Sequence, residues 1–161
     1  MFKFLDKQVS LLSSFLLNLA LIAFIILTFS VIYEVIARSI LNKPTIWSLE
    51  IVTYMISCVA FFGSAYVLRI NKHLEINLFT KILPIKVRLI FNLIANIIAF
   101  IFCFIAFYYG CKLINLSYIL GVVSVSELRV PLWIPQMTVP IGFFALSLEF
   151  LMRILRLILN R

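Results

Sequence analysis

Four long runs without a charged residue constrain this chain more than any other feature. Residues 8–33, 51–68, 89–111 and 131–148 contain no Asp, Glu, Lys, Arg or His. A helix of about 20 apolar residues crosses a hydrocarbon core of roughly 30 Å. Only 12% of the 161 residues are charged and 65% are hydrophobic, whereas a soluble domain is about a quarter charged. The sequence therefore predicts an all-α integral membrane four-helix bundle.

We expect one membrane domain over residues 1–161, with membrane helices at approximately 9–33, 47–68, 89–112 and 131–151. The first run lacks the short core and small-residue cleavage site of a secretory signal, so we expect it to be retained. Residues 72–84 are too polar to cross a bilayer. Their apolar residues fall mostly on one side of a helix that Pro84 would end, which predicts a short interfacial amphipathic helix between the second and third membrane helices. An ordinary loop is the alternative.

The positions of Lys and Arg predict the orientation in the membrane. Ten of the 14 lie in the N-terminal segment, between the second and third spans, or in the C-terminal tail. Because cytoplasmic segments carry the excess of Lys and Arg, both termini are predicted to be cytoplasmic. Trp47 and Trp133 then lie at the outer surface, where indole rings favour the headgroup level. The net charge of +8 reflects this bias and does not indicate nucleic-acid binding.

Small and polar residues recur at steps of three, four or seven positions in three of the runs. Such spacing places them on one side of a helix, where they allow close helix–helix packing; lining of a polar path is the less common alternative. These residues are Thr53, Ser57 and Ser64 in the second run, Asn92, Asn96, Cys103 and Gly110 in the third, and Thr138, Gly142 and Ala145 in the fourth. In the first run, Ser14 and Asn18 are predicted to face a neighbouring helix.

Catalytic and cofactor motifs are missing from the sequence. The single histidine, His73, excludes a bis-histidine haem site, and no His, Cys, Asp and Glu cluster has metal-ligand spacing. The three cysteines show no pairing pattern. No ionisable residue lies in the middle of a run, where such a group usually marks an ion or proton path. We therefore expect neither an enzyme nor a pump that works alone, and no cofactor, but an accessory subunit.

One stretch resembles a known family. Residues 38–76, together with two later segments, are similar to the small membrane subunit of tripartite ATP-independent periplasmic (TRAP) transporters, the DctQ-like family. The matching residues are Arg38, Asn42, Pro44, Trp47, Glu50, Phe62, Gly63, Ala65, Tyr66, Arg69, His73, Ile76, Pro131, Leu132, Trp133, Pro140, Ile141 and Gly142. The sequence departs from the family where Leu49 stands beside Glu50 instead of a second acid, and where Asn77 replaces an aspartate.

The resemblance implies a role that the residues alone do not give. It implies a non-catalytic small subunit in the bacterial inner membrane, which scaffolds a large permease subunit. A periplasmic binding protein would deliver an organic acid, such as a dicarboxylate or a sialic acid, and sodium would drive uptake. Candidate residues for docking that protein, or for simple interfacial anchoring, are Arg38, Lys43, Trp47, Glu50, Arg129 and Trp133. Membrane lipids are the other expected partners.

Two alternatives remain at this point. A small four-helix exporter of the multidrug-resistance type, acting as a homodimer, would need a membrane-embedded acid in the first helix. Glu34 lies at the end of that helix, where an ion pair with Arg38, four residues on, is the simpler interpretation. A membrane enzyme acting on lipid or quinone would need catalytic groups, and we find no candidates.

Overall fold

Helices account for nearly all of the described chain. The computed structural model describes residues 2–40, 42, 45–70, 85–126 and 128–159. The helices are α1 (Phe2–Ser39), α2 (Ile46–Ile70), α3 (Ile85–Ile119), α4 (Trp133–Gln136) and α5 (Thr138–Leu159). Within those residues the β-structure amounts to an isolated bridge between Val123 and Pro131. The predicted all-α membrane bundle is confirmed, and the predicted interfacial helix at 72–84 lies outside the described residues.

Three helices are long and apolar enough to cross a membrane: Phe4–Ser39, Trp47–Ile70 and Val87–Ile119. Their outward faces carry large apolar side chains, among them Phe15, Phe29 and Phe102, each at least 60% exposed. Water would strongly disfavour such a surface, whereas lipid tails solvate it. The chain is therefore a multi-pass membrane protein.

The helices lie side by side in the order α1, α2, α5, α3. Each packs against the next in this order, and a smaller contact joins α1 to α5. Leu16, Ala65 and Ala145, from α1, α2 and α5, form the buried core where these three helices meet. Consequently α2 and α5 are the inner helices, and α1 and α3 form the two edges.

One side of α1 is buried along almost its whole length. The buried positions are three, four or seven residues apart, as in helices that pack lengthwise. They are Val9, Ser13, Leu16, Ala20, Ala23, Ser30, Glu34 and Ala37. Asn18 is exposed, because it lies on the opposite side of the helix from Leu16 and Ala20. The prediction that Asn18 faces a neighbouring helix is therefore wrong.

Two glycines allow neighbouring helices of the bundle to approach each other closely. A Cβ added at Gly142 would lie 2.6 Å from both the Cβ and the carbonyl oxygen of Phe61. A Cβ added at Gly110 would lie 3.3 Å from the Cβ of Pro140. The Phe143 ring packs beside Phe61, with centroids 5.5 Å apart. These contacts place Phe61 of α2 and Gly110 of α3 at the level of the first turns of α5.

Several helix boundaries differ from the prediction. α1 extends beyond 9–33 at both ends, to Phe2 and Ser39, and α5 ends at Leu159 instead of near 151. α3 continues to Ile119, so residues 113–119 are helical where the sequence suggested a loop. The fourth predicted helix is divided at Met137 into α4 and α5. The division follows from Pro140, which has no N–H to donate to the carbonyl of Gln136.

Candidate functional site: polar networks at two ends of the bundle

Glu34 joins the end of α1 to the start of α2. Its Oε2 accepts hydrogen bonds from the backbone N–H of Thr45 at 3.1 Å and from the Ser48 hydroxyl at 2.8 Å, and also from the Thr45 hydroxyl. Its Oε1 lies 3.0 Å from the Arg38 guanidinium. We call Glu34, Arg38, Thr45 and Ser48 the Glu34 network. Because the carboxylate also lies at the N-terminus of α2, the helix dipole stabilises its charge.

Glu50 holds the loop that precedes α4. Ser126 donates a hydrogen bond to Glu50 Oε2, and the Tyr54 hydroxyl donates to Oε1 at 2.5 Å. The Ser124 hydroxyl lies 3.1 Å from that of Ser126 and accepts from the Val130 N–H at 3.2 Å. These bonds tie Ser124, Ser126 and Val130 to α2.

Four charged side chains from three helices meet at the opposite end. Arg69 lies 3.0 Å from Glu149 and 3.2 Å from Asp6, and Arg156 contacts the same Asp6 oxygen. The Ser13 hydroxyl donates to Glu149 Oε1 at 2.6 Å. We call Asp6, Ser13, Arg69, Glu149 and Arg156 the Arg69 network. Glu149 is only 4% exposed, and a carboxylate at that depth requires such partners.

The two networks are one hydrocarbon thickness apart. Ser13 and Glu34 are 21 residues apart in α1, as are Ser48 and Arg69 in α2, which is about 31 Å along a helix. A bilayer core is roughly 30 Å thick. We call the part between the networks the apolar belt; its described residues in α1 and α2 are uncharged apart from Glu50, which lies close to the Glu34 network. The described residues contain no group of three or more His, Cys, Asp or Glu that could hold a metal ion. The geometry thus suits anchoring at both membrane boundaries.

Comparison with known proteins assigns this architecture to a family. The family model described as "Tripartite ATP-independent periplasmic transporters, DctQ component" matches residues 27–160, most of the chain. This chain belongs to the DctQ family. The DctQ-like resemblance seen in the sequence is thereby confirmed, and the protein is a component of a TRAP transporter.

A curated relative carries a similar segment within a much longer chain. The DctQ chain is 25% identical over 84 residues to the "Sialic acid TRAP transporter permease protein SiaT" of Haemophilus influenzae (strain 86-028NP). The match covers 52% of this chain but only 14% of that relative. Most of the relative therefore has no counterpart in this DctQ chain.

The structure places most of the proposed docking residues of this DctQ chain near the Glu34 network. The Trp47 ring packs against Tyr33, with centroids 5.3 Å apart, and Trp133 packs edge-on against Tyr118 at 6.0 Å. The Arg38 side chain is 62% exposed even though it contacts Glu34. Arg129 is exposed and has a positive φ of 43°. Lys43 lies outside the described residues.

The predicted packing residues occupy different environments in the DctQ fold. Those that are buried are Asn96, Cys103, Gly110, Thr138, Gly142 and Ala145, while Asn92 is half-buried. On α2, Ser57 and Ser64 are half-buried and Thr53 is exposed. The hydroxyls of all three donate to carbonyls three or four residues earlier in the same helix. Thr53 is therefore exposed on a side of α2 that also exposes Leu49, Ile56 and Val67.

Sequence reasoning did not anticipate the Arg69 network. The regular spacing of small residues along α1 could have predicted that Ser13 faces another helix. Its side chain is fully buried. Nothing in the local sequence pairs Arg69 with Glu149, because 80 residues separate them. Arg153, four residues after Glu149, was the more obvious partner by spacing.

Proposed function

We propose that this DctQ component is a non-catalytic small membrane subunit that scaffolds the large permease subunit of a TRAP transporter. One observation carries the proposal: the described ion pairs that α1 and α2 form lie at the two ends of the apolar belt. A subunit that conducted ions or protons by itself would need ionisable groups along its path. An apolar belt between two anchored ends suits a rigid support.

The rest of the transporter supplies the steps that this chain lacks. The matched relative has about six-sevenths of its length outside the similar segment, so we infer that a separate large membrane subunit contributes that part here. We propose sodium-driven uptake of an organic acid, with a sialic acid or a dicarboxylate as the substrate class. The name of the relative supports the first of these.

We further propose that the chain forms one membrane domain that crosses the bacterial inner membrane four times. The fourth crossing would be α5, which packs between α2 and α3. Both termini would be cytoplasmic, because the described cations at the Arg69 end include Lys7, Arg69, Arg88, Arg153 and Arg156. The Glu34 network would then face the periplasm.

Co-purification tests the scaffolding role. We expect a tagged copy of this chain to retain the large permease subunit through detergent extraction and size-exclusion chromatography. Uptake in proteoliposomes should need both membrane subunits and the binding protein. Solute flux through this chain reconstituted alone would contradict the proposal, as would failure of the two subunits to co-purify.

We propose that Arg38 and Arg129, which are exposed, help dock the periplasmic binding protein. Lys43, which lies outside the described residues, is included in this proposal from its position in the sequence. Replacing Arg38, Lys43 and Arg129 together with Gln should slow uptake while subunit assembly persists. The Gln at position 38 keeps a hydrogen-bond donor for Glu34. Lys7→Gln, an exposed cation at the other end, is the matched control and should leave uptake unchanged. Equal uptake by the triple variant would leave these residues with an anchoring role only.

The exporter alternative is not favoured. A proton-coupled carboxylate has to be accessible, but Glu34 is 8% exposed and accepts hydrogen bonds from Thr45, Ser48 and Arg38. Those donors stabilise a permanently ionised anchor.

A further inference from the structure

A polar cavity lies between α1, α2 and α5 at the Arg69 end. Its volume is about 440 Å³, within the range of roughly 300–1,000 Å³ that is usual for ligand sites. The polar side chains that line it are Asp6, Ser10, Ser14, Tyr66, Arg69 and Arg156. Polar groups that are shielded from water need hydrogen-bond partners, so this concentration of polar side chains suits a polar occupant.

Hydrogen-bond donors outnumber acceptors in the cavity. Among the described residues, the hydroxyls of Ser10, Ser14 and Tyr66 have no hydrogen-bond partner. Arg156 contacts Asp6 through a single nitrogen, although a guanidinium carries five N–H groups. Asp6 accepts from both arginines at one oxygen atom. An occupant with several acceptor oxygens would satisfy the remaining donors.

The position of the cavity relative to the membrane follows from the helix lengths. Arg69 and Ser13 mark the end of the apolar belt, and Asp6 is seven residues beyond Ser13, about 10 Å further along α1. The headgroup layer on each side of a bilayer is roughly 5–8 Å thick. The cavity therefore spans the layer in which lipid phosphates lie.

We propose that this cavity binds the phosphate group of a membrane phospholipid. Arg69 and Arg156 supply the N–H groups that their ion pairs with Asp6 and Glu149 leave free, and the guanidinium fork matches two phosphate oxygens. Ser10, Ser14 and Tyr66 supply neutral donors to the remaining oxygens. Basic pockets between membrane helices are known to hold anionic headgroups. Lipid bound in this cavity would connect α1 to α2 at the Arg69 network. Its binding would be independent of the transported substrate.

Removal of the neutral donors tests the site without disturbing the ion pairs. The full chain is purified in mild detergent, and binding of short-chain phosphatidylglycerol is measured by native mass spectrometry. In the variant Ser10→Ala/Ser14→Ala/Tyr66→Phe we expect binding to weaken by about tenfold or more, as for loss of hydrogen bonds to a charged group. The matched control is Thr28→Ala/Thr53→Ala, because both hydroxyls are exposed and bond carbonyls of their own helices. The control should bind like the unmodified chain.

Inorganic phosphate distinguishes a lipid from a soluble ligand. We expect it to compete with phosphatidylglycerol far more weakly than a second short-chain lipid does. Equal competition would overturn the lipid assignment in favour of a soluble phosphate ligand. Equal lipid binding by the cavity variant and the control would overturn the site itself. Should the triple variant fold poorly by circular dichroism, Tyr66→Phe alone provides the same comparison with a smaller expected loss.

Discussion

The two ends of the apolar belt anchor the same helices in different ways. The Glu34 network surrounds one carboxylate with hydroxyl and backbone donors that lie within 14 residues of it in sequence. The Arg69 network joins opposite charges on α1, α2 and α5 that are 63 to 150 residues apart. The Glu34 network thus joins residues close in sequence, partly through uncharged donors, whereas the Arg69 network joins charged residues that are far apart in sequence.

This difference predicts which end of the bundle loses more stability when a residue is substituted. A hydroxyl removed from the Glu34 network leaves a carboxylate with several donors still in place. A charge removed from the Arg69 network leaves an opposite charge buried without compensation, which is far more costly. The bundle should therefore tolerate substitution at one end better than at the other.

The largest effect is expected for Arg69→Met. Glu149 would keep only the Ser13 hydroxyl, and breaking a buried ion pair in this way costs about 3–5 kcal/mol. The free energy of unfolding, measured by denaturant titration in micelles, should fall by that amount. The double variant Arg69→Met/Glu149→Leu should recover part of the loss, because the two apolar groups need no partners whereas the buried Ser13 hydroxyl loses its acceptor. A stable single variant would show that the two ends do not differ in this way.

Gly142→Ala tests the middle of the belt that connects the two ends. The added methyl group would lie 2.6 Å from the backbone oxygen of Phe61, so α2 and α5 would have to separate. We expect a net loss of about 1–2 kcal/mol after the gain in helix propensity. Gly63→Ala is the matched control, since its new Cβ would meet only the Cβ of Ala20 at 4.0 Å. If the two variants are equally stable, the close approach of α2 and α5 is not what holds the middle together.

Ser48→Ala should have the smallest effect of the three. Ser48 is fully buried and donates to Glu34 at 2.8 Å, but Thr45 and Arg38 continue to hold the carboxylate. Loss of one such bond should lower the free energy of unfolding by about 1 kcal/mol. Ser39→Ala removes an exposed hydroxyl that bonds the carbonyl of Val35 in the same helix and should cost less. A loss at Ser48 as large as that of Arg69→Met would remove the proposed contrast between the ends.

Much of the architecture followed from sequence. Hydrocarbon excludes charge wherever the chain crosses it, so charge-free runs revealed the membrane helices without knowledge of their neighbours. The Glu34–Arg38 pair was also predictable, because residues four apart in a helix are neighbours whatever surrounds them. The DctQ resemblance was carried by residues that remain recognisable in order along the chain, and the family match confirms it.

Other features depended on how the helices are arranged. The sequence predicted that Glu149 and Arg69 lie near the ends of membrane spans, but only the packing of α2 against α5 brings them within 3.0 Å. The same packing makes Gly142 essential beside Phe61 and assembles the cavity from three separate helices. Local sequence determined which segments enter the membrane because transfer of a side chain into lipid depends on that side chain alone. Tertiary structure decided the long-range ion pairs. The sequence of one helix does not specify which other helices pack against it, and so it does not specify which charged residues become its partners.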